Sequence, residues 1–409
     1  NMACCCLYKT KTILKAAQIC KPSRNLLAYN DVIAGILVKS RNLHESFKYE
    51  DLQLQLKAPN ELLEKPTGPL VFGKLLTDHM LTVSWSSSNG WGIPIISPVV
   101  PFQIHPSAKV LHYAVEIFEG MKAYRGIDGK IRLFRPSANM KRMKASAMRS
   151  CLPDFHGDEL IKCIKKLVMI DQEWVPHAEN ASLYLRPAMI GTEGSLGVAA
   201  SAEALLFVLL CPVGPYFPAN FTSVSLLAEP AFVRAWPGGC GDNKMGSNYG
   251  PTVYLQKLAE KQGFQQILWL FGEDHQITEA GTMNIFIIYT SDSGETVAVT
   301  PPLNGLILPG VTRMSCLELL REWGVCKVEE RTILMKEVIE LANKEQLQEI
   351  FGAGTACTIC PVGSLSFKGQ EIKVPLGGPD SLSKRLRMSL FNIYYGATPH
   401  SWAEDVTEI

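Results

Sequence analysis

The sequence predicts an α+β chain in two domains, and three observations predict it. The chain has 409 residues, which at roughly 150 residues per domain is room for two or three. Segments with helical spacing interleave with short Ile-, Val- and Phe-rich runs along most of the chain. A proline-dense stretch, Pro212–Pro218, divides these segments near Pro215. The expected boundaries are residues 45–211 for a first domain, 212–222 for a linker and 223–409 for a second domain.

Residues 1–44 stand apart. Lys9, Lys11, Lys15, Lys21, Arg24, Lys39 and Arg41 face the single acid Asp31, and Ile13, Leu14, Ala17 and Ile19 fit one helical face. A basic, acid-poor, amphipathic start is the composition of a mitochondrial transit peptide; an ordinary disordered tail is the other reading. A mitochondrial matrix location is expected on that composition, with a cytoplasmic one as the alternative.

The folded part is expected to begin near Glu45. Leu81–Trp85 reads as a strand and Trp91–Pro106 as a Gly/Pro-broken loop. Ser137–Ser150 reads as a helix with Ser137 as its N-cap. Glu159–Trp174 is the clearest helix, with Leu160, Cys163, Ile164, Leu167 and Val168 on one face. Ala181–Pro187, Ala204–Cys211 and Ser223–Leu227 read as strands. Tyr254–Lys261 reads as a helix ended by Gly263. Gln266–Phe271 and Met283–Tyr289 are expected as buried strands. Val311–Trp323, stopped by Gly324, Met335–Ala342 and Ser381–Tyr394 are the remaining helices.

Composition excludes several classes. Forty basic residues against 39 acidic ones leave a net charge of +1, without the basic excess of a nucleic-acid binder. The 47% apolar content is too high for a disordered chain. In the uncharged stretch 204–228 the apolar part is about ten residues, too short to span a bilayer. Neither nucleic acid nor membrane is therefore an expected partner. Cys151, Cys163, Cys211, Cys316 and Cys326 sit in apolar patterns, as small core residues do, and a reducing compartment is expected.

Four segments carry candidate chemistry. In Gly238–Gly250 a single lysine, Lys244, sits in a glycine-dense turn. A desolvated lysine there can lose its proton and form a Schiff base, although a plain loop or a phosphate cradle fits the same pattern. In Thr278–Asn284, Glu279 lies between two buried strands; a buried carboxylate there needs a cationic partner, while an exposed hairpin glutamate needs none. Leu308–Arg313 opens a helix, whose free N–H groups suit an anion or merely form a cap. In Gly352–Pro361, Thr355 offers a hydroxyl beside two glycines, and Cys357 and Cys360 form a C-x-x-C pair. One such pair cannot supply a four-ligand zinc site, and no metal is expected. A redox pair and two buried thiols remain open.

Together and in this order, the segments make the chain resemble the branched-chain-amino-acid aminotransferases of the animal type, which are fold-type IV pyridoxal-phosphate enzymes. The resemblance covers about residues 48–403. Its landmarks include Leu70-Val71-Phe72-Gly73, Phe118-Glu119-Gly120-Met121-Lys122-Ala123, Arg132-Leu133-Phe134-Arg135-Pro136, Asn248-Tyr249-Gly250-Pro251-Thr252 and the Cys357/Cys360 pair.

The resemblance implies a small N-terminal α/β domain, a larger C-terminal barrel-like α/β domain, pyridoxal 5'-phosphate between them, and a homodimer. It implies that Lys244 binds the cofactor covalently and then moves the substrate proton. Glu279 matches the partner of the pyridine nitrogen, Tyr249 that of the phenolic oxygen, and Arg142, Val311, Thr312 and Thr355 the phosphate cup. Phe72, Tyr113, Phe118, Tyr184 and Thr282 match the side-chain pocket. Arg186 is matched to the second carboxylate of glutamate or 2-oxoglutarate, and Ala356 and Thr355 to the α-carboxylate. The implied reaction is reversible transamination of leucine, isoleucine and valine with 2-oxoglutarate. A D-amino-acid aminotransferase, an aminodeoxychorismate lyase and a redox-sensing protein without catalysis are the alternatives. Two positions depart from the family pattern: Ser247 replaces a usual glycine, which puts the loop beside Lys244 in question, and Ala353 replaces a common serine.

Overall fold

The computed structural model describes residues 46–178, 180–215 and 221–409. The transit-peptide expectation for 1–44 and the middle of the expected linker lie outside the described residues. Among those described, the strands form two sheets.

Nine strands of the first sheet precede the linker: β1 (Gln53–Leu54), β2 (His79–Ser86), β3 (Gly90–Trp91), β4 (Ile95–Pro98), β5 (Glu116–Phe118), β6 (Met121–Arg125), β7 (Ile131–Phe134), β8 (Ser182–Gly191) and β9 (Glu203–Val213). They run β1-β4-β2-β9-β8-β6-β7, with β3 beside β2 and β5 beside β8. The helices α1 (Lys109–Tyr113), α2 (Pro136–Arg149) and α3 (Gly157–Ile170) belong to the same stretch of chain. Met140, Met143 and Ala147 of α2, and Leu160, Ile164 and Leu167 of α3, bury against Leu183, Leu185, Leu206 and Val208 of the sheet. Fully burying each large apolar side chain contributes about 1.5–3 kcal/mol.

The second sheet comprises β10 (Val224–Ala228), β11 (Gln266–Phe271), β12 (Gln276–Ala280), β13 (Met283–Thr290), β14 (Thr296–Thr300), β15 (Lys327–Glu330), β16 (Leu347–Gly354), β17 (Thr358–Phe367) and β18 (Gln370–Lys373). Its order is β12-β11-β10-β17-β16-β13-β14-β15, and β12 also pairs with β13. That extra ladder, Glu279 opposite Asn284 and Ala280 opposite Met283, closes six of the strands into a barrel. Closure removes the open edge that β12 would otherwise present. The helices α4 (Thr252–Lys261), α5 (Val311–Trp323), α6 (Met335–Asn343) and α7 (Leu382–Tyr394) accompany it. The last strand, β19 (Ala403–Asp405), returns to pair with β7 of the first sheet. A shared core, with Tyr124 and Phe134 against Phe286, Phe351 and Tyr394, ties the sheets together.

Several expected elements differ in extent. The loop expected over Trp91–Pro106 contains β4, because Ile96 pairs with Leu81 and is fully buried. The helix expected over Glu159–Trp174 ends at Ile170 and gives way to a single 3-10 turn. Ser137 is not the N-cap of α2. That position falls to Arg135, in the left-handed region at φ 46°, with Pro136 preset for the first helical turn. Arg135 is held by an ion pair to Glu318 at 2.9 Å and by stacking over Trp402. The strand expected to stop at Pro187 continues to Gly191. Pro187 lies at the gap between β5 and β6, and its carbonyl accepts the Glu119 N–H at 2.7 Å; its missing donor interrupts no ladder there.

Candidate active site

A cavity of about 320 Å³ opens between the two sheets. Phe118, Arg142, Tyr184 and Arg186 enter it from the first sheet and its helices; Thr282, Val311, Thr312, Thr355 and Ala356 come from the barrel side, and Lys244 and Tyr249 from the glycine-dense loop.

Lys244 is fixed by its backbone. Its N–H donates to the Ser146 hydroxyl at 2.8 Å, and its carbonyl accepts the Phe118 N–H at 3.1 Å. Its amine donates to the Tyr249 hydroxyl at 3.0 Å and lies 4.5 Å from the centre of the Phe118 ring. Burial lowers the amine's pKa to about 7, with Arg142 pushing the same way against Glu119. Near neutrality a large share of it is therefore the free base, the nucleophilic form. Burial, together with Glu279, raises the pKa of the Tyr249 hydroxyl.

The loop around Lys244 tolerates Ser247, whose side chain points to solvent in a single 3-10 turn. At Gly246 a Cβ would sit 1.8 Å from the Glu116 carboxylate, so that side chain would have to move. Asn248 ties the loop down by donating to the carbonyls of Cys240 and Asn243.

Glu279 is buried on β12, not exposed in a turn. One of its oxygens accepts the Leu308 N–H at 2.9 Å and the Asn284 amide at 3.2 Å; the other meets Arg234 at 2.8 Å. Burial raises its pKa, while Arg234, the Leu308 N–H and Lys244 oppose the rise. The cationic partner that the buried carboxylate needs is thus already present in Arg234, whose side chain is 4% exposed. Arg234 is absent from the sequence-derived site, as it lies outside all four segments.

Arg142 is also held by a residue the sequence reading missed. Glu119, completely buried, accepts from its Nε at 2.7 Å and from an Nη at 2.8 Å, while the Pro309 carbonyl takes a third donor at 3.1 Å. Two guanidinium N–H groups remain for a ligand. Arg142 keeps Glu119 ionised against its burial. Next to Arg142, helix α5 begins at Gly310–Val311–Thr312, whose first-turn amides have no acceptor within the helix and favour an anion. Gly310 is required there, because a Cβ would sit 2.0 Å from the Asn284 amide oxygen.

The remaining wall is aromatic. Phe72 and Tyr184 pack edge to face at 4.8 Å. Arg186 stacks over Phe118 at 4.8 Å and donates to the Tyr184 hydroxyl at 3.1 Å, and its Nε is buried without a hydrogen-bond partner. Thr355, Ala356 and Cys357 form the turn between β16 and β17. The Cys357 thiol contacts the Met283 sulfur at 3.2 Å, and Cys360 lies buried behind it. Both thiols are free, and burial pushes that of Cys357 up to about 12. Tyr113 does not line this cavity: its hydroxyl bonds the Leu196 carbonyl on the surface. Among the described residues no group of three or more His, Cys, Asp or Glu side chains could hold a metal ion, and no helix is long and apolar enough to cross a membrane.

A buried amine near its free-base form and an anion cup in one cavity, with the Glu279 carboxylate bonded to the lining residues Asn284 and Leu308 behind its wall, suit a phosphorylated carbonyl cofactor with a basic ring. Comparisons with known proteins agree. The amino-transferase class IV family model matches residues 116–365. The rat mitochondrial branched-chain-amino-acid aminotransferase is 50% identical over 370 residues, which is 90% of this chain and 94% of the relative. The mouse cytosolic form is 51% identical over 368 residues, 89% of this chain and 94% of the relative. Among solved structures, the Escherichia coli branched-chain amino acid aminotransferase matches with TM-score 0.63 at 25% identity, over 79% of this chain and 99% of that one. The corresponding T.th. enzyme with pyridoxamine 5'-phosphate matches with TM-score 0.64 at 23% identity, over 79% of this chain and 98% of that one. The chain belongs to the class IV amino-transferases and, within them, to the branched-chain-amino-acid aminotransferases.

Proposed function

We propose that the protein reversibly transfers the amino group of leucine, isoleucine or valine to 2-oxoglutarate, giving branched 2-oxo acids and glutamate, with pyridoxal 5'-phosphate as cofactor. The observation that carries this reading is the Lys244 amine, pKa about 7, held 3.0 Å from Tyr249 in a cavity with aromatic and cationic walls. When bound, the cofactor supplies an aldehyde that condenses with amines and a ring that takes up electrons released at the substrate Cα.

The residues divide the work. Lys244 would hold the cofactor through its amine and would carry a proton between the substrate Cα and the cofactor's C4′. Tyr249 bonds the phenolic oxygen. Glu279, paired with Arg234, would face the ring nitrogen and favour its protonated form. Arg142, Val311, Thr312 and Thr355 bind the phosphate, and Glu119 orients Arg142. Phe72, Phe118, Tyr184 and Thr282 enclose the branched side chain by apolar burial. Arg186, which lines the cavity and stacks on Phe118, receives the second carboxylate of glutamate and 2-oxoglutarate. Ala356 and Thr355 receive the α-carboxylate.

The wider organisation follows the same reading. The domains meet at 212–222, supported by the change of sheet between Val213 and Val224. The protein acts as a homodimer, supported by exposed Leu111, Tyr113 and Leu196, the last two joined by a hydrogen bond; Tyr113 keeps its substrate role only across such a contact. Cys357 and Cys360 form a redox pair that lowers activity when oxidised, supported by their place beside Thr355 and Ala356. A mitochondrial location rests on the composition of residues 1–44, since relatives named for both compartments are about equally similar.

Steady-state kinetics test the activity. Leucine, isoleucine and valine should each support turnover with 2-oxoglutarate. Turnover of D-alanine but not leucine would contradict the reading.

A further inference from the structure

The turn Thr355–Ala356–Cys357 is a thin partition. On one face lies the active-site cavity, to which all three residues contribute. On the other lies a second cavity of about 610 Å³, lined by Ala356 and Cys357 together with Lys122, Lys384 and Arg387. A segment with open space on both faces gains little from packing. Specific contacts must fix its shape.

Three such features are present. Thr358, the first residue after the turn, sits at φ 63°, a region that costs a β-branched residue energy and persists only where surroundings enforce it. The Cys357 thiol rests against the Met283 sulfur on β13. The third comes from the other sheet: Lys122 on β6, only 9% exposed, sends its amine to the Ala356 carbonyl at 2.9 Å. A buried ammonium is costly without a compensating role, and Lys122 takes no part in the chemistry derived above.

We propose that Lys122 is a positioning residue for the substrate α-carboxylate: by holding the Ala356 carbonyl away from the active-site cavity, it keeps the Thr355–Cys357 turn presenting its N–H groups inward. The inference rests on the placement of the α-carboxylate at Thr355 and Ala356 under the proposed activity. The tie runs from one sheet to the other, so it also fixes the gap across which the substrate is gripped. Lys122 bonds Ala356 and neither Thr355, the one phosphate-binding residue of the turn, nor Lys244, so its loss should weaken amino-acid binding more than cofactor binding.

The test compares cofactor-loaded wild type, Lys122→Met and Lys122→Arg. For Lys122→Met, KM for leucine should rise about tenfold while kcat stays within about threefold and the visible cofactor band is unchanged, as expected for loss of one charge-assisted contact that orients a binding group. Affinity for 4-methylpentanoate, a carboxylate without the amino group, should fall by the same factor. Lys122→Arg keeps charge and donor and should recover part of both; it carries the comparison if the methionine variant does not fold. Unchanged KM and 4-methylpentanoate affinity in both variants would overturn the inference, as would a fall in kcat and loss of the cofactor band with KM unchanged. Wild type that neither transaminates leucine nor binds 4-methylpentanoate would remove the activity reading instead, and the inference with it.

Discussion

The Lys244 amine donates to the Tyr249 hydroxyl at 3.0 Å, above the face of Phe118. With its pKa lowered to about 7 by burial, the amine is protonated below that pH and free above it. Uptake of pyridoxal phosphate by cofactor-free protein should therefore speed up as the pH rises through about 7 and then level off. Lys244→Ala should show no covalently bound cofactor band and no turnover at any pH. A band in that variant matching the wild type would contradict the role of Lys244.

Glu279 and Arg234 form a buried pair at 2.8 Å. Glu279→Gln preserves shape but cannot hold the ring nitrogen protonated, and should lower kcat by about a hundredfold or more. Removing one member of a buried pair also leaves the other charge uncompensated, at about 3–5 kcal/mol, so Glu279→Ala should unfold at a lower temperature as well. Near-normal turnover of a correctly folded Glu279→Gln would count against the assignment.

Arg186 lines the cavity, stacked over Phe118 at 4.8 Å. Arg186→Met should raise KM for 2-oxoglutarate and glutamate about tenfold to a hundredfold, the cost of a charge-assisted bond, while KM for leucine changes far less. Equal effects on both substrates would show that Arg186 shapes the pocket without recognising the second carboxylate.

The Cys357 thiol, pushed up to about 12 by burial, holds little thiolate near neutral pH. Inactivation by peroxide should thus be slow at pH 7 and faster at higher pH, reversed by a dithiol, and slower still in Cys357→Ser. If Cys357→Ser lost activity as fast as wild type, the pair would be two buried thiols and no switch.

How much of this was legible in the sequence depended on locality. Helix α5 runs from Val311 to Trp323 as expected because Gly310 and Gly324, the latter at φ 60°, mark its ends in the sequence. Strand β11 matches its Ile- and Leu-rich run, Gln266–Phe271. The β16–β17 hairpin was not read as strands because Gly352, Gly354 and Gly363 dilute the apolar pattern; at Gly352 a Cβ would strike Met283 at 2.8 Å. Barrel closure through Glu279 and Asn284 is a tertiary pairing that no local signal reports. Of the site residues, Lys244 and Glu279 stand in segments that the sequence singles out, and Arg142 is matched through the family resemblance. Their orienting partners are less visible: Glu119 is 23 residues from Arg142 in the chain, and Arg234 lies in a stretch with no motif. Partners at such separations become apparent only when the fold brings the charges together. Tyr113 is matched through the resemblance as well, yet the chain folds it away from its own cavity.

Whether the Lys244 cavity transfers amino groups is decided by the visible absorption spectrum of the purified, cofactor-loaded protein, titrated with leucine. A yellow band should bleach as leucine donates its amino group and return on adding 2-oxoglutarate. A folded protein that gains no band with pyridoxal phosphate, or whose band leucine leaves unchanged, would contradict amino transfer at Lys244.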